Sequence, residues 1–223
     1  VRVVRPSQCP ANSIAVMGAV RGLTLRDIRI DGGGTGVAVH WGAVATSVAQ
    51  ITGPSFHPHD LTIERLDVRD AFEAFYLSSV HDIDVRDLRC DNVEIGFRLL
   101  PGDNADAYHQ DPAASQVSRR ITIRDGRIGW HGIYAIRVAG WGRSEVDRSL
   151  RRLAYQDVSI RDLELTPMPA TAARSRAAVV LEQAEGVRFA AVRLHTADGV
   201  TDVTVDGQRS ALAGVSTAPA RTR

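Results

Sequence analysis

Hydrophobic positions in this chain follow an eight-residue pattern that occurs six times, at residues 23–30, 61–68, 83–90, 121–128, 158–165 and 187–194. Positions 1, 3, 6 and 8 of each copy are apolar, with Gly126 standing at one of them. Alternation with period two predicts a short strand on each side of the copy, and the phase shift between positions 4 and 5 predicts a bend between them. A helix would spread these positions over too wide an arc, and the β-branched residues among them favour strands. A third short strand is predicted ahead of each copy from the second onward, at 37–41, 75–79, 97–101, 134–138 and 179–183. Three strands per turn of chain, stacked at the ~4.8 Å strand spacing, describe an all-β right-handed parallel β-helix, a solenoid of about six coils. Its interior is columns of Leu, Ile and Val. Cys90 falls in one column beside Val68 and Ile128 and is expected as a buried thiol.

Positions 4 and 5 carry a second pattern. They read Arg26-Asp27, Arg86-Asp87, Arg124-Asp125 and Arg161-Asp162, but Glu64-Arg65 in the second copy. Aspartates stacked ~4.8 Å apart would repel. The inverted pair breaks the like-charge column and keeps each step neutral. Because the pairs recur along the chain, they read as a turn ladder and not as a row of catalytic carboxylates.

Spacing between copies is uneven: Ile63 to Val85 is 22 residues, whereas Leu25 to Ile63 is 38. The excess falls at 42–58, 102–118, 139–152 and 166–176, and the first three segments directly follow the third-strand face. Insertions that leave a solenoid on one side commonly wall a binding face. Residues 1–209 are expected as a single domain, and 210–223 as a flexible tail of small and polar residues. No amphipathic helix precedes the first coil, so either a truncated N-terminus or a capping partner or oligomer is expected at that exposed edge.

Composition narrows the function. Net charge is +1, which supplies no field for nucleic acid or an anionic membrane, and neither is expected as a partner. All 27 basic residues are Arg, which removes lysine Schiff-base and P-loop chemistry. Two cysteines are too few for a disulfide framework and form no C-x-x-C pair. No apolar run reaches the ~18 residues of a membrane span, and the first residues lack a signal-peptide core, so the residues assign no location.

The coil repeat across residues 12–207 resembles the pectate-lyase-like superfamily of right-handed parallel β-helix proteins. GWHGI at 129–133 and AIRV at 135–138 resemble, in part, the Gly-His-Gly and Arg-Ile-Lys motifs of its polygalacturonase-like hydrolases. The Asn-Thr-Asp motif and the adjacent Asp pair of those hydrolases do not occur. The resemblance implies a carbohydrate-active enzyme, a glycoside hydrolase or polysaccharide lyase, acting in a groove along the coil face. It implies a secreted protein, no cofactor for hydrolysis, and calcium for a lyase.

Alternation places Ala38, Tyr76, Arg98, Ala135 and Val180 in one outward column of the third-strand face, and His40, Ser78, Leu100, Arg137 and Glu182 in the next. Tyr76 and Arg98 are expected in cation–π contact, and Arg137 and Glu182 as an ion pair. Two guanidinium groups suit an acidic sugar, since each can bind a carboxylate bidentately. The bordering segments add Trp41, His57, His59, Asp103, Asp106, Tyr108, His109, Asp111 and Trp141. Five of the seven histidines, His40, His57, His59, His109 and His131, are expected on or beside this side. His40, His109, Asp103, Asp106 and Arg137 are the candidate catalytic residues, as general acids, bases and carboxylates. Trp41, Tyr76, Arg98, Tyr108 and Trp141 are the candidate sugar-binding residues. His57 and His59, spaced H-x-H, are a weaker alternative as metal ligands. The expected partner is a polysaccharide or oligosaccharide. The competing expectations are a non-catalytic glycan- or protein-binding β-helix module, and a fragment of a larger β-helix enzyme.

Overall fold

The computed structural model describes residues 1–6, 9–40, 57–100, 118–139, 153–168, 177–182, 184–196, 201–205 and 208–219. Every regular element among them is a strand. In chain order these are β1 (Arg2–Val4), β2 (Asn12–Met17), β3 (Thr24–Asp31), β4 (Thr35–His40), β5 (His59–Arg69), β6 (Glu73–Ser78), β7 (His81–Asp91) and β8 (Ile95–Leu100). They continue as β9 (Arg119–His131), β10 (Tyr134–Ala139), β11 (Leu153–Pro167), β12 (Ala177–Glu182), β13 (Ala184–Thr196), β14 (Thr201–Val205), β15 (Gln208–Arg209) and β16 (Val215–Pro219). The first sheet runs β1-β3-β5-β7-β9-β11-β13-β16 and the second β2-β4-β6-β8-β10-β12-β14-β15. All neighbours are parallel except β14 and β15. From β2 to β14 the chain thus alternates between two sheets and returns to each one strand further along.

The six copies of the repeat lie along β3, β5, β7, β9, β11 and β13. Each was expected to make two separate short strands; each instead makes one long strand with a kink. The fifth residue of every copy, Asp27, Arg65, Asp87, Asp125, Asp162 and Ala191, is left-handed, with φ between 51° and 57°. That residue moves the inward-facing alternation by one step. Pairing continues on both sides of it, as in Arg26↔Glu64 and Ile28↔Leu66. Aspartate suits the position because its short side chain can bond locally in the left-handed region. Five residues earlier a second left-handed row stands ahead of every copy: Gly22, Asp60, Asp82, Arg120, Asp157 and Gly186.

Glu64-Arg65 works as its inversion suggests. The Glu64 carboxylate is buried and meets Arg26, Arg86 at 2.6 Å and Arg65 at 3.3 Å. Arg65 in turn donates to both oxygens of Asp27, at 2.6 and 3.0 Å. An arginine at 64 would sit in register between Arg26 and Arg86. The hydrogen bond from Arg86, outweighing burial, holds the Glu64 carboxyl below the usual carboxylate range.

The core lies between the sheets. Ile63, Val68, Val85, Cys90, Ile121, Ile123 and Ile128 of the first sheet are fully buried, as are Phe75, Leu77, Phe97, Leu99 and Ile136 of the second. Each such Val, Leu, Ile or Phe side chain contributes ~1.5–3 kcal/mol relative to exposure. Cys90 stands between Val68 and Ile128 as a free, buried thiol. Leu23, Leu25, Val187 and Phe189 are only half-buried, because their copies are the outermost. A buried column of small residues, Gly36, Ala74, Gly96, Ala135 and Ala178, precedes the large apolar residues of the second sheet. Close approach demands them: a Cβ on Gly96 would lie 2.3 Å from the carbonyl oxygen of Ala135.

The segment from Ser210, expected as a flexible tail, supplies β16. It pairs with β13 from Val192↔Val215 to Thr196↔Pro219, so it extends the first sheet. Its alternating Val215 and Thr217 are in register with Val192 and Leu194, a pattern too short to register as a repeat.

Candidate functional site on the outer face of the second sheet

Val37 and Val39 of β4 pack in the core, so alternation turns Ala38 and His40 to the opposite face, where Ala38 is itself fully buried. Pairing carries these positions across the sheet. One row is Ala38, Tyr76, Arg98, Arg137 and Val180; the other begins His40, Ser78 and Leu100. The expected columns therefore hold through β8 and slip by two residues at β10. Arg98 neighbours Arg137, not Ala135, and Ala135 is buried. Tyr134 pairs with Ile95 where Phe97 was expected. The small-residue column explains the slip: Gly96 and Ala135 align, and the large residue after each faces the core.

The row is bound together by side-chain contacts. The Arg98 guanidinium lies over the Tyr76 ring, with Cζ 4.5 Å from its centroid, as expected. Arg98 also donates through Nε and Nη2 to the two oxygens of Glu73, at 2.6 and 2.9 Å. Glu73 is 1% exposed, and Thr35 Oγ1 donates to its Oε2 at 3.1 Å. Arg137 donates through Nε and Nη2 to Glu182 Oε2, at 3.0 and 2.5 Å, which bears out the expected ion pair. Burial works to lower the Arg137 pKa, but hydrogen bonds to Glu182 and Tyr134 more than offset it and hold the guanidinium firmly charged. The His40 ring stands 6.0 Å from that of Tyr76, tilted by 50°.

Glu73 was missed by the sequence reading. It precedes the alternating part of β6, and the residues in register with it, Thr35 and Ile95, share no chemistry with it. Only the fold brings it beneath Arg98, 25 residues away in the chain.

Other candidates are less concentrated than expected. His40 on β4 and Arg137 on β10 are separated by β6 and β8, so their rows lie three strand spacings apart, about 14 Å. Two groups at that distance do not share one reacting bond; they can line one extended ligand. Ser78, expected to face a ligand, is fully buried. His59 opens β5 on the first sheet, donates Nδ1 to the His57 carbonyl at 2.8 Å, and stacks on His81 at 4.7 Å. Among the described residues no group of three His, Cys, Asp or Glu side chains is arranged to hold a metal. His131 closes β9 at the opposite end of that strand from Arg119, which is in register with His81. It is therefore not beside His40 and His59. It is 2% exposed, and burial pushes its pKa down to about 3. Trp41, Asp103, Asp106, Tyr108, His109, Asp111 and Trp141 lie outside the described residues.

This face carries the Tyr76 ring, Arg98 and Arg137 in one row, with His40 in the neighbouring row and Glu182 as the more exposed of the two paired carboxylates. Hydroxyl groups, which both donate and accept, match such alternating partners. No family model, curated protein or solved structure matches the chain.

Proposed function

We propose that the two sheets are faces of one right-handed parallel β-helix of about six coils, of the pectate-lyase-like kind. We further propose that the outer face of β4–β12 binds a polysaccharide and cleaves it as a glycosidase or lyase. The observation that carries this reading is the in-register row of Tyr76, Arg98 and Arg137, flanked by His40 and Glu182. From β4 to β12 the row spans four strand spacings, about 19 Å, a length suited to several sugar units. The segments 41–56, 101–117 and 140–152 begin directly after β4, β8 and β10, so three long connections follow strand ends of this one sheet.

A second reading, binding without cleavage, is favoured by the separation of His40 from Arg137. One experiment covers both. The full chain is incubated with a panel of neutral and acidic polysaccharides, and both retention and new chain ends are measured. New reducing ends or unsaturated uronates, lost in His40→Ala, support cleavage. Retention without product, weakened in Arg137→Ala, supports a binding module. Neither retention nor product across the panel refutes the polysaccharide reading.

A further inference from the structure

We infer that the row on the second sheet is built for a neutral glycan and not for an acidic one; this rests on the polysaccharide reading above. Two arginines side by side invite the opposite conclusion, but each already carries its own counter-charge. Arg98 is paired with Glu73, and Arg137 with Glu182. Among the described residues, the two guanidinium charges and two carboxylate charges of these pairs sum to zero, so the pairs themselves present no net field to draw an anion.

Geometry points the same way. The Nε–Nη2 edge of a guanidinium is one that grips a carboxylate through two parallel hydrogen bonds. Arg98 spends that edge on Glu73, at 2.6 and 2.9 Å. A ligand carboxylate seeking it would have to displace Glu73, which is 1% exposed and also holds Thr35. Displacement would leave a buried carboxylate without its counter-ion, a heavily unfavourable state. A sugar hydroxyl needs no displacement. It can accept from the remaining Nη1 hydrogens of Arg98 and, at the more exposed pair, donate to Glu182. The Glu73 clamp also fixes the guanidinium against Tyr76, giving a flat, rigid surface for the apolar face of a sugar ring.

The test measures binding of the full chain to a neutral hexasaccharide and to a hexauronate of matched length, at ~20 mM and ~300 mM salt. Expected is a preference for the neutral ligand, with affinity changing less than about twofold over that range. Glu73→Gln keeps the shape and removes the counter-charge. It is expected to raise hexauronate affinity about tenfold at low salt, the worth of one charge-assisted hydrogen bond, and to introduce a salt dependence. Glu182→Gln makes the same test at the more exposed pair, should the buried substitution unfold the protein. A wild-type preference for hexauronate that collapses with salt overturns the inference while leaving polysaccharide binding intact. Unchanged ligand preference in the folded variants also overturns it. Binding of neither ligand class defeats the polysaccharide reading itself, and this inference with it.

Discussion

Phe75 and Phe97 give the sharpest test of the register between β6 and β8. Both are fully buried, and their rings stack at 4.3 Å with planes 5° apart. Replacing Phe97 by Ala removes a whole ring from a site with no solvent access. Transfer and cavity terms together put that loss at ~3–5 kcal/mol. The stacked geometry adds ~0.5–1.5 kcal/mol specific to the partner ring. Phe75→Ala should cost a similar amount. Since each single change already abolishes the shared stacking, the double variant should lose about 1 kcal/mol less than the sum of the two. Urea unfolding followed by far-ultraviolet circular dichroism measures all four species, and an unchanged slope would confirm that stability alone has shifted. Phe72, 47% exposed, is the control; its replacement by Ala should cost under ~1 kcal/mol. Additivity of the two core changes within ~0.3 kcal/mol would refute the stack, and with it the pairing of Phe75 with Phe97. A cost below ~2 kcal/mol for Phe97→Ala would refute its burial.

Three further outcomes are expected. His131 is held neutral in the fold, with its pKa pushed down to about 3, while the unfolded chain takes up a proton near pH 6.5. Its stabilising contribution is therefore complete above that pH and falls by up to ~1.4 kcal/mol per unit on acidification toward pH 3, a loss that His131→Gln should abolish in chemical unfolding measured from pH 7 to 4. Burial raises the Cys90 thiol far above its ordinary pKa, so a thiol reagent at neutral pH should label Cys9 and reach Cys90 only on unfolding; a second equivalent reacting in the folded protein would contradict the core placement. Ala191 holds a left-handed φ of 51° with neither glycine's freedom nor aspartate's local bonding, so Ala191→Gly should stabilise the chain by ~0.5–1 kcal/mol, and a loss of stability by thermal unfolding would argue against that kink.

Legibility of the site followed the reach of the alternation. Tyr76 over Arg98 was readable, because both stand one residue past a buried phenylalanine in adjacent strands. Arg137 was placed correctly against Glu182 but two positions off in register. Tyr134 looked like the large residue that should face the core, whereas Ile136 holds that position. Column-matching of small residues, Gly36, Ala74, Gly96, Ala135 and Ala178, would have found the true register. Glu73 carried no local signal at all, and His131 was grouped with His40 and His59 although it closes the far end of a strand.

The sequence by itself determined the strands that carry the repeat, the kink within each copy and the core columns of the first sheet. Those features depend on side-chain period and on single-residue backbone preference, both local to a few positions. It also determined that Glu64-Arg65 must interrupt a like-charge column, since the inversion is visible against the other copies. Only the tertiary structure decided that the half-strands merge, that β16 completes the first sheet, and that Glu73 neutralises Arg98. These depend on which residues come within hydrogen-bonding distance across parallel strands 22 to 38 residues apart in the chain. A parallel pair is set by packing and close backbone approach over the whole crossover, and a slip of two residues leaves every side chain on its own face. The hydrophobic pattern is blind to such a slip, while the charge pairing that governs the candidate site depends on it.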